Sequence, residues 1–70
     1  MKYCVAAGVA ALLAEAACKG ANYNVRVNVS ALEDQSKGAA LASESRELVK
    51  KVVELAAKVA KRVESSLAGQ

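Results

Sequence analysis

From Asn22 to Ser30 the chain alternates polar and apolar residues without a break. In an extended backbone Asn22, Asn24, Arg26, Asn28 and Ser30 point one way, while Tyr23, Val25, Val27 and Val29 point the other. The pattern predicts a half-buried β-strand, which Val and Tyr suit. No other segment has period two, and a single strand cannot satisfy its own backbone groups. The expected partner is therefore the same strand of another copy, in a symmetric two-stranded ribbon.

The flanking segments carry helical spacing. Tyr3 to Lys19 is dominated by Ala and Leu, with Glu15 and Lys19 placed i,i+4 and Gly20 following as a stop, which predicts an N-terminal helix. Ser30-Ala31-Leu32-Glu33 fits a capping box, so a second helix is expected to start where the strand ends. Gly38 and Ser43-Glu44-Ser45 weaken it, giving either one long helix or a break between about 38 and 45. From Arg46 to Leu67 the helical pattern is strong. Leu41, Leu48 and Leu55 lie seven apart, as do Val52 and Val59, and Val49, Ala56 and Val63 widen this apolar seam. The resulting expectation is an α+β fold: a helix, one strand paired between chains, and a long C-terminal amphipathic helix. Residues 1–70 would form a single small domain completed by oligomerisation, a dimer first of all.

A competing reading is a minimal βαβα chain. It takes Lys2–Ala6 as a strand, Gly8 as the turn, Val9–Lys19 as a crossover helix and Asn22–Val29 as a second, parallel strand. This arrangement resembles the opening unit of a Rossmann domain, with Lys19-Gly20-Ala21 leading into the second strand. Of the glycines in G-x-G-x-x-G only Gly8 is present and no acidic residue ends the second strand, so no dinucleotide site is implied.

Composition narrows the chemistry. The chain of 70 residues is 54% hydrophobic but 3% aromatic, and it has no His, Trp, Phe or Pro. Its apolar fraction is mostly Ala and Val, so the core it can build is thin, and chains of this size commonly need a staple or a partner. Without His, and with only two Cys, it has no Cys2His2 or Cys4 zinc set, no Ser-His-Asp triad and no imidazole base. Glu33 and Asp34 suit a helix start, and Glu54 among Lys50, Lys51 and Lys58 suits a solvated salt-bridge ladder. The expectation is a protein that is not an enzyme and holds no metal or cofactor.

The net charge of +3 lies entirely in the second half, where residues 36–70 hold seven basic and four acidic side chains. That bias permits contact with nucleic acid, an anionic surface or an acidic partner, and also describes a solvated helix face. Cys4 and Cys18 cannot bridge within one helix, because fourteen residues rise about 21 Å. An antiparallel pair of chains could join them, while two small apolar thiols in a reducing, cytoplasmic setting is the plainer reading. Secretion is the alternative. Met1-Lys2, the uncharged run Tyr3–Ala14 and Ala14-Glu15-Ala16 have the layout of a signal peptide over residues 1–16. That run is too short for a transmembrane helix, so no membrane span is expected.

The polar strand face has one sharp functional reading. Asn and Arg pair bidentately with adenine and guanine edges, and a two-stranded ribbon fits the major groove. Asn22–Ser30, followed by a helix, a Ser-rich turn and Ser45-Arg46-Glu47-Leu48-Val49, resembles the ribbon-helix-helix DNA-binding family. The resemblance implies that Asn24, Arg26 and Asn28 read bases and that the helix start near Ser45 meets phosphate. The principal expectation is a non-catalytic, self-associating structural or scaffold protein, natural or designed. Its interface would use Val25, Val27 and Val29 from the ribbon and Leu48, Val52, Leu55 and Val59 from the helix.

Overall fold

The computed structural model describes residues 2–69, and they form two helices with no strand among them: α1, Lys2–Ser30, and α2, Gln35–Ala68. A four-residue turn joins them and the two lie side by side as a hairpin. The result is a rod of 56 × 14 × 12 Å. Its radius of gyration is 16.1 Å, against about 11 Å for a compact chain of this length.

The α+β expectation is overturned, and so is the βαβα alternative: Asn22–Ser30 is the last third of α1, and Lys2–Ala6 is its start. The reason is backbone hydrogen bonding. A lone strand leaves both edges open, whereas a helix closes its own N–H and C=O groups within the segment. The Ala-rich stretch before Asn22 supplies a formed helix that needs only to be extended, and extension is far easier than starting anew. The alternating pattern also contains i,i+4 pairs, Val25 with Val29 and Tyr23 with Val27, so it is legible as helix faces too. Gly20 does not stop α1. Its backbone stays helical, at the usual penalty for an interior glycine.

The turn is placed differently from the expected capping box. Ser30 ends α1, its Oγ donating to the carbonyl of Val27 at 2.7 Å. Asp34 is the cap of α2, with extended φ and ψ, and its Oδ1 accepts the Lys37 N–H at 3.1 Å. Gln35 reaches back to donate to the Leu32 carbonyl at 2.7 Å. From there α2 runs unbroken to Ala68, so the break expected between 38 and 45 does not occur.

Burial shows which faces meet. The less exposed positions of α1 include Cys4, Gly8, Ala11, Glu15, Cys18, Asn22, Val25 and Val29, with Gly20 off this row, and those of α2 include Gly38, Ala42, Ser45, Val49, Val52, Ala56, Val59 and Val63. Both sets advance by alternating steps of four and three, the heptad of an antiparallel coiled coil. Half of these residues are Gly, Ala, Ser or Cys, so the backbones approach closely. A methyl group added at Gly8 would sit 3.0 Å from Cγ2 of Val63, and one at Gly38 would sit 3.0 Å from Cγ1 of Val29.

The same packing leaves the large side chains outside. Ala56, at 8% exposure, is the only buried hydrophobic side chain among the described residues, while Leu12, Leu48 and Leu55 are 67%, 54% and 60% exposed. Apart from Glu15, Lys19 and Arg26, α1 is uncharged from Tyr3 to Ser30 and apolar on nearly every side. That kind of helix ends up surrounded, in a core or in a bilayer. By length and composition the segment Tyr3–Ser30 could cross a membrane, which removes the objection of length raised above. The residues read as a signal peptide form the first half of α1, except Met1, which lies outside the described residues.

Two predictions come from this geometry. Nothing lies within 4 Å of a Cβ built at Gly20, so Gly20→Ala should raise stability by about 0.5–1 kcal/mol through helix propensity. Gly8→Leu should instead lower it by about 1–3 kcal/mol by prising the helices apart. Urea denaturation followed by circular dichroism checks both signs. By the same measurement Asp34→Ala should lower stability by about 1 kcal/mol through loss of the α2 cap.

Candidate functional site

The seam contains one bond between helices that is both polar and partly buried. The Ser45 hydroxyl of α2 donates to Oδ1 of Asn22 on α1 at 2.7 Å. Asn22 lies one turn before Val25, and Ser45 lies nearly three turns into α2, so the pair ties the loop-proximal third of the hairpin. A polar pair at an otherwise apolar heptad position penalises every register that separates its members, and so specifies alignment more than it adds stability.

Two apolar grooves flank the seam. The first, about 490 Å³, runs along the side where Leu41 and Leu48 of α2 face Ala21, Val25 and Asn28 of α1, with Leu32 of the turn closing one end. Asn22, Ser45 and Cys18 form its floor and Glu44 its rim. The second, about 400 Å³, lies on the opposite flank near the open end, between Val5, Val9 and Leu12 of α1 and Val53, Ala57 and Ala60 of α2. Glu15 and Glu64 border it. Glu15 accepts a hydrogen bond from Lys19 Nζ at 3.0 Å, which is the expected i,i+4 pair. No ion pair joins Glu47 to Lys51 or Glu54 to Lys58 among the described residues.

The residues singled out from sequence divide cleanly. Val25, Val29, Val52 and Val59 are half-buried in the seam, within one chain and not between chains. Val27, Leu48 and Leu55 point away from it and are exposed. Asn24, Arg26 and Asn28 no longer share a face: on a helix Asn24 and Arg26 diverge by about 160°. Arg26 instead lines a shallow depression with Tyr23, Val27 and Ser30, and Asn28 lines the first groove. The base-reading arrangement implied by the ribbon-helix-helix resemblance needs a strand that is absent here. Cys4 and Cys18 are both free thiols, half-buried toward α2. No cluster of three or more His, Cys, Asp or Glu side chains suited to a metal ion occurs among the described residues.

Asn22, Ser45, Gly8 and Gly38 were missed as packing positions. A signal for them existed: small residues recur at heptad spacing along both helices, and the search for large apolar residues passes over it.

A family model described as formiminotransferase-cyclodeaminase matches residues 3–47, more than half of the chain. The chain belongs to the formiminotransferase-cyclodeaminase family. The matched segment contains nearly all of α1, the turn with its Asp34 cap, and α2 as far as Glu47, so both members of the Asn22–Ser45 pair fall inside it. Comparison with curated proteins and with solved structures found no match.

The Asn22–Ser45 bond is measurable by a double-mutant cycle. Asn22→Ala and Ser45→Ala should each destabilise, and the pair should show a coupling of about 0.5–1.5 kcal/mol in urea denaturation. A coupling near zero would mean that the contact fixes nothing.

Proposed function

We propose that this chain is a non-catalytic, self-associating helical hairpin, an assembly element of its family whose core is completed by a second copy. The observation that carries the reading is the placement of side chains, with Gly, Ala, Ser, Cys and Val between the helices and the leucines and tyrosines outside them. The hairpin exposes 5440 Å². A compact chain of 7.2 kDa exposes about 4100 Å². The excess of about 1300 Å² per chain is more than the roughly 800 Å² that each partner contributes to a standard interface. Burying it between two copies gives a total within the range of obligate homodimers. Two hairpins joined in this way make a four-helix bundle, the smallest arrangement that surrounds α1 with more than one neighbour. Two free thiols turned toward α2 suit a reducing, cytoplasmic setting.

Family membership favours a second reading, in which the hairpin is part of a formiminotransferase or cyclodeaminase. The non-catalytic reading rests on the residues at hand. The chain has no His, and its groove-lining polar groups are Asn, Ser, Cys and Glu, with Ser45 committed to Asn22.

In detergent-free buffer, light scattering should give a molar mass of twice 7.2 kDa, and the melting temperature should rise with chain concentration, as mass action requires. A mass of one chain over the micromolar range, or quantitative partition into lipid vesicles, would replace self-association. Turnover of formimino or cyclodeaminase substrates by the purified chain would replace the non-catalytic reading.

A further inference from the structure

We infer that the second copy docks on one particular flank of the hairpin, the side of the leucine stripe Leu41, Leu48 and Leu55, in an antiparallel, two-fold arrangement. This inference rests on the self-association proposed above and adds the surface to it. The three leucines recur every seven residues along α2, immediately beside the seam, so they form a straight apolar edge about 21 Å long. They are 45%, 54% and 60% exposed in the single chain. The groove that the first two line is the larger of the two apolar grooves, at about 490 Å³.

Charge separates this flank from the other one. The α1 wall beside the leucines presents Ala7, Ala14, Ala21 and Asn28 and carries no charge over its whole length. The opposite flank is apolar only near the open end, at Val5, Leu12 and Val53. Toward the turn it carries Lys19, Arg26, Arg46 and Lys50. An antiparallel two-fold contact there would bring those basic residues toward Glu64 of the other copy, but Glu15, Lys19, Arg26 and Arg46 interrupt the flank, so no apolar strip runs through the contact. The leucine flank has the reverse property. Glu44 stands at its turn end, Lys51 beside the middle of the stripe, and Lys58 and Arg62 toward its open end. An antiparallel second copy therefore brings Glu44 toward Lys58 and Arg62 of that copy at both ends of the contact, with the leucines meeting between them. Opposed charges at the rim fix the direction of docking, and the desolvated apolar strip supplies the affinity.

The test places single thiols on the two flanks. In a Cys4→Ala, Cys18→Ala background, Leu48→Cys and Leu12→Cys start from similar exposure in the single chain. Under conditions where light scattering gives the assembled mass, Leu48→Cys should react with a thiol reagent at least about tenfold more slowly than Leu12→Cys, and dilution below the association range should remove the difference. Equal reactivity in the assembled state, or protection of Leu12→Cys instead, overturns the choice of flank and leaves self-association standing. A chain that runs as a monomer throughout ends both. Should the alanine background fail to fold, Leu48→Arg and Leu12→Arg in the otherwise unaltered chain give the same decision. Leu48→Arg should yield a helical monomer and Leu12→Arg an intact dimer, and the converse overturns the inference.

Discussion

The close approach of two helices along a seam of small residues governs the rest of this structure. Gly8 and Gly38 allow a partner valine to reach the opposing backbone, and Ala11, Ala42 and Ala56 continue the contact. Narrow seams of this kind give good dispersion contact per atom but little apolar area per residue. The hairpin therefore holds its shape without acquiring a core, and the residues able to make one are turned outward. Its elongated form and its surplus of exposed apolar surface are two expressions of the same choice.

Against that background the Asn22–Ser45 bond has a defined part to play. Alanines and glycines interdigitate poorly, so a seam made from them has several registers of similar energy. A short bond between a half-buried amide and a hydroxyl breaks the degeneracy, because sliding by one heptad leaves both groups without partners. The Asp34 cap acts from the other end by fixing where α2 begins. The family match extends over this part of the hairpin and includes Leu41, and it stops just before Leu48.

Several features of the fold were legible in advance. The helical character of Tyr3–Lys19 and of Arg46–Leu67, the Glu15–Lys19 pair and the apolar seam through Val52 and Val59 all stand in the structure. The strand was not. Asn22–Ser30 satisfies a period of two and, through Val25/Val29 and Tyr23/Val27, a helical period as well. Nine residues are too few for periodicity alone to separate the two. What decides the matter is the formed helix preceding them, a long-range property of the segment. The misplaced ribbon carried with it the shared face of Asn24, Arg26 and Asn28, since a helix keeps Asn24 and Asn28 together but turns Arg26 away from them.

By itself the sequence determined local backbone preference and chemical inventory: Ala-, Leu- and Lys-rich helices over Tyr3–Lys19 and Arg46–Leu67, a basic second half, and no imidazole. Those follow from propensity, capping and composition, which act within a few residues. Only the tertiary structure decided which face of each helix is inside. A small residue is compatible with either face. Its position is settled by how near the opposing backbone can come, and that distance exists only once two helices are brought together.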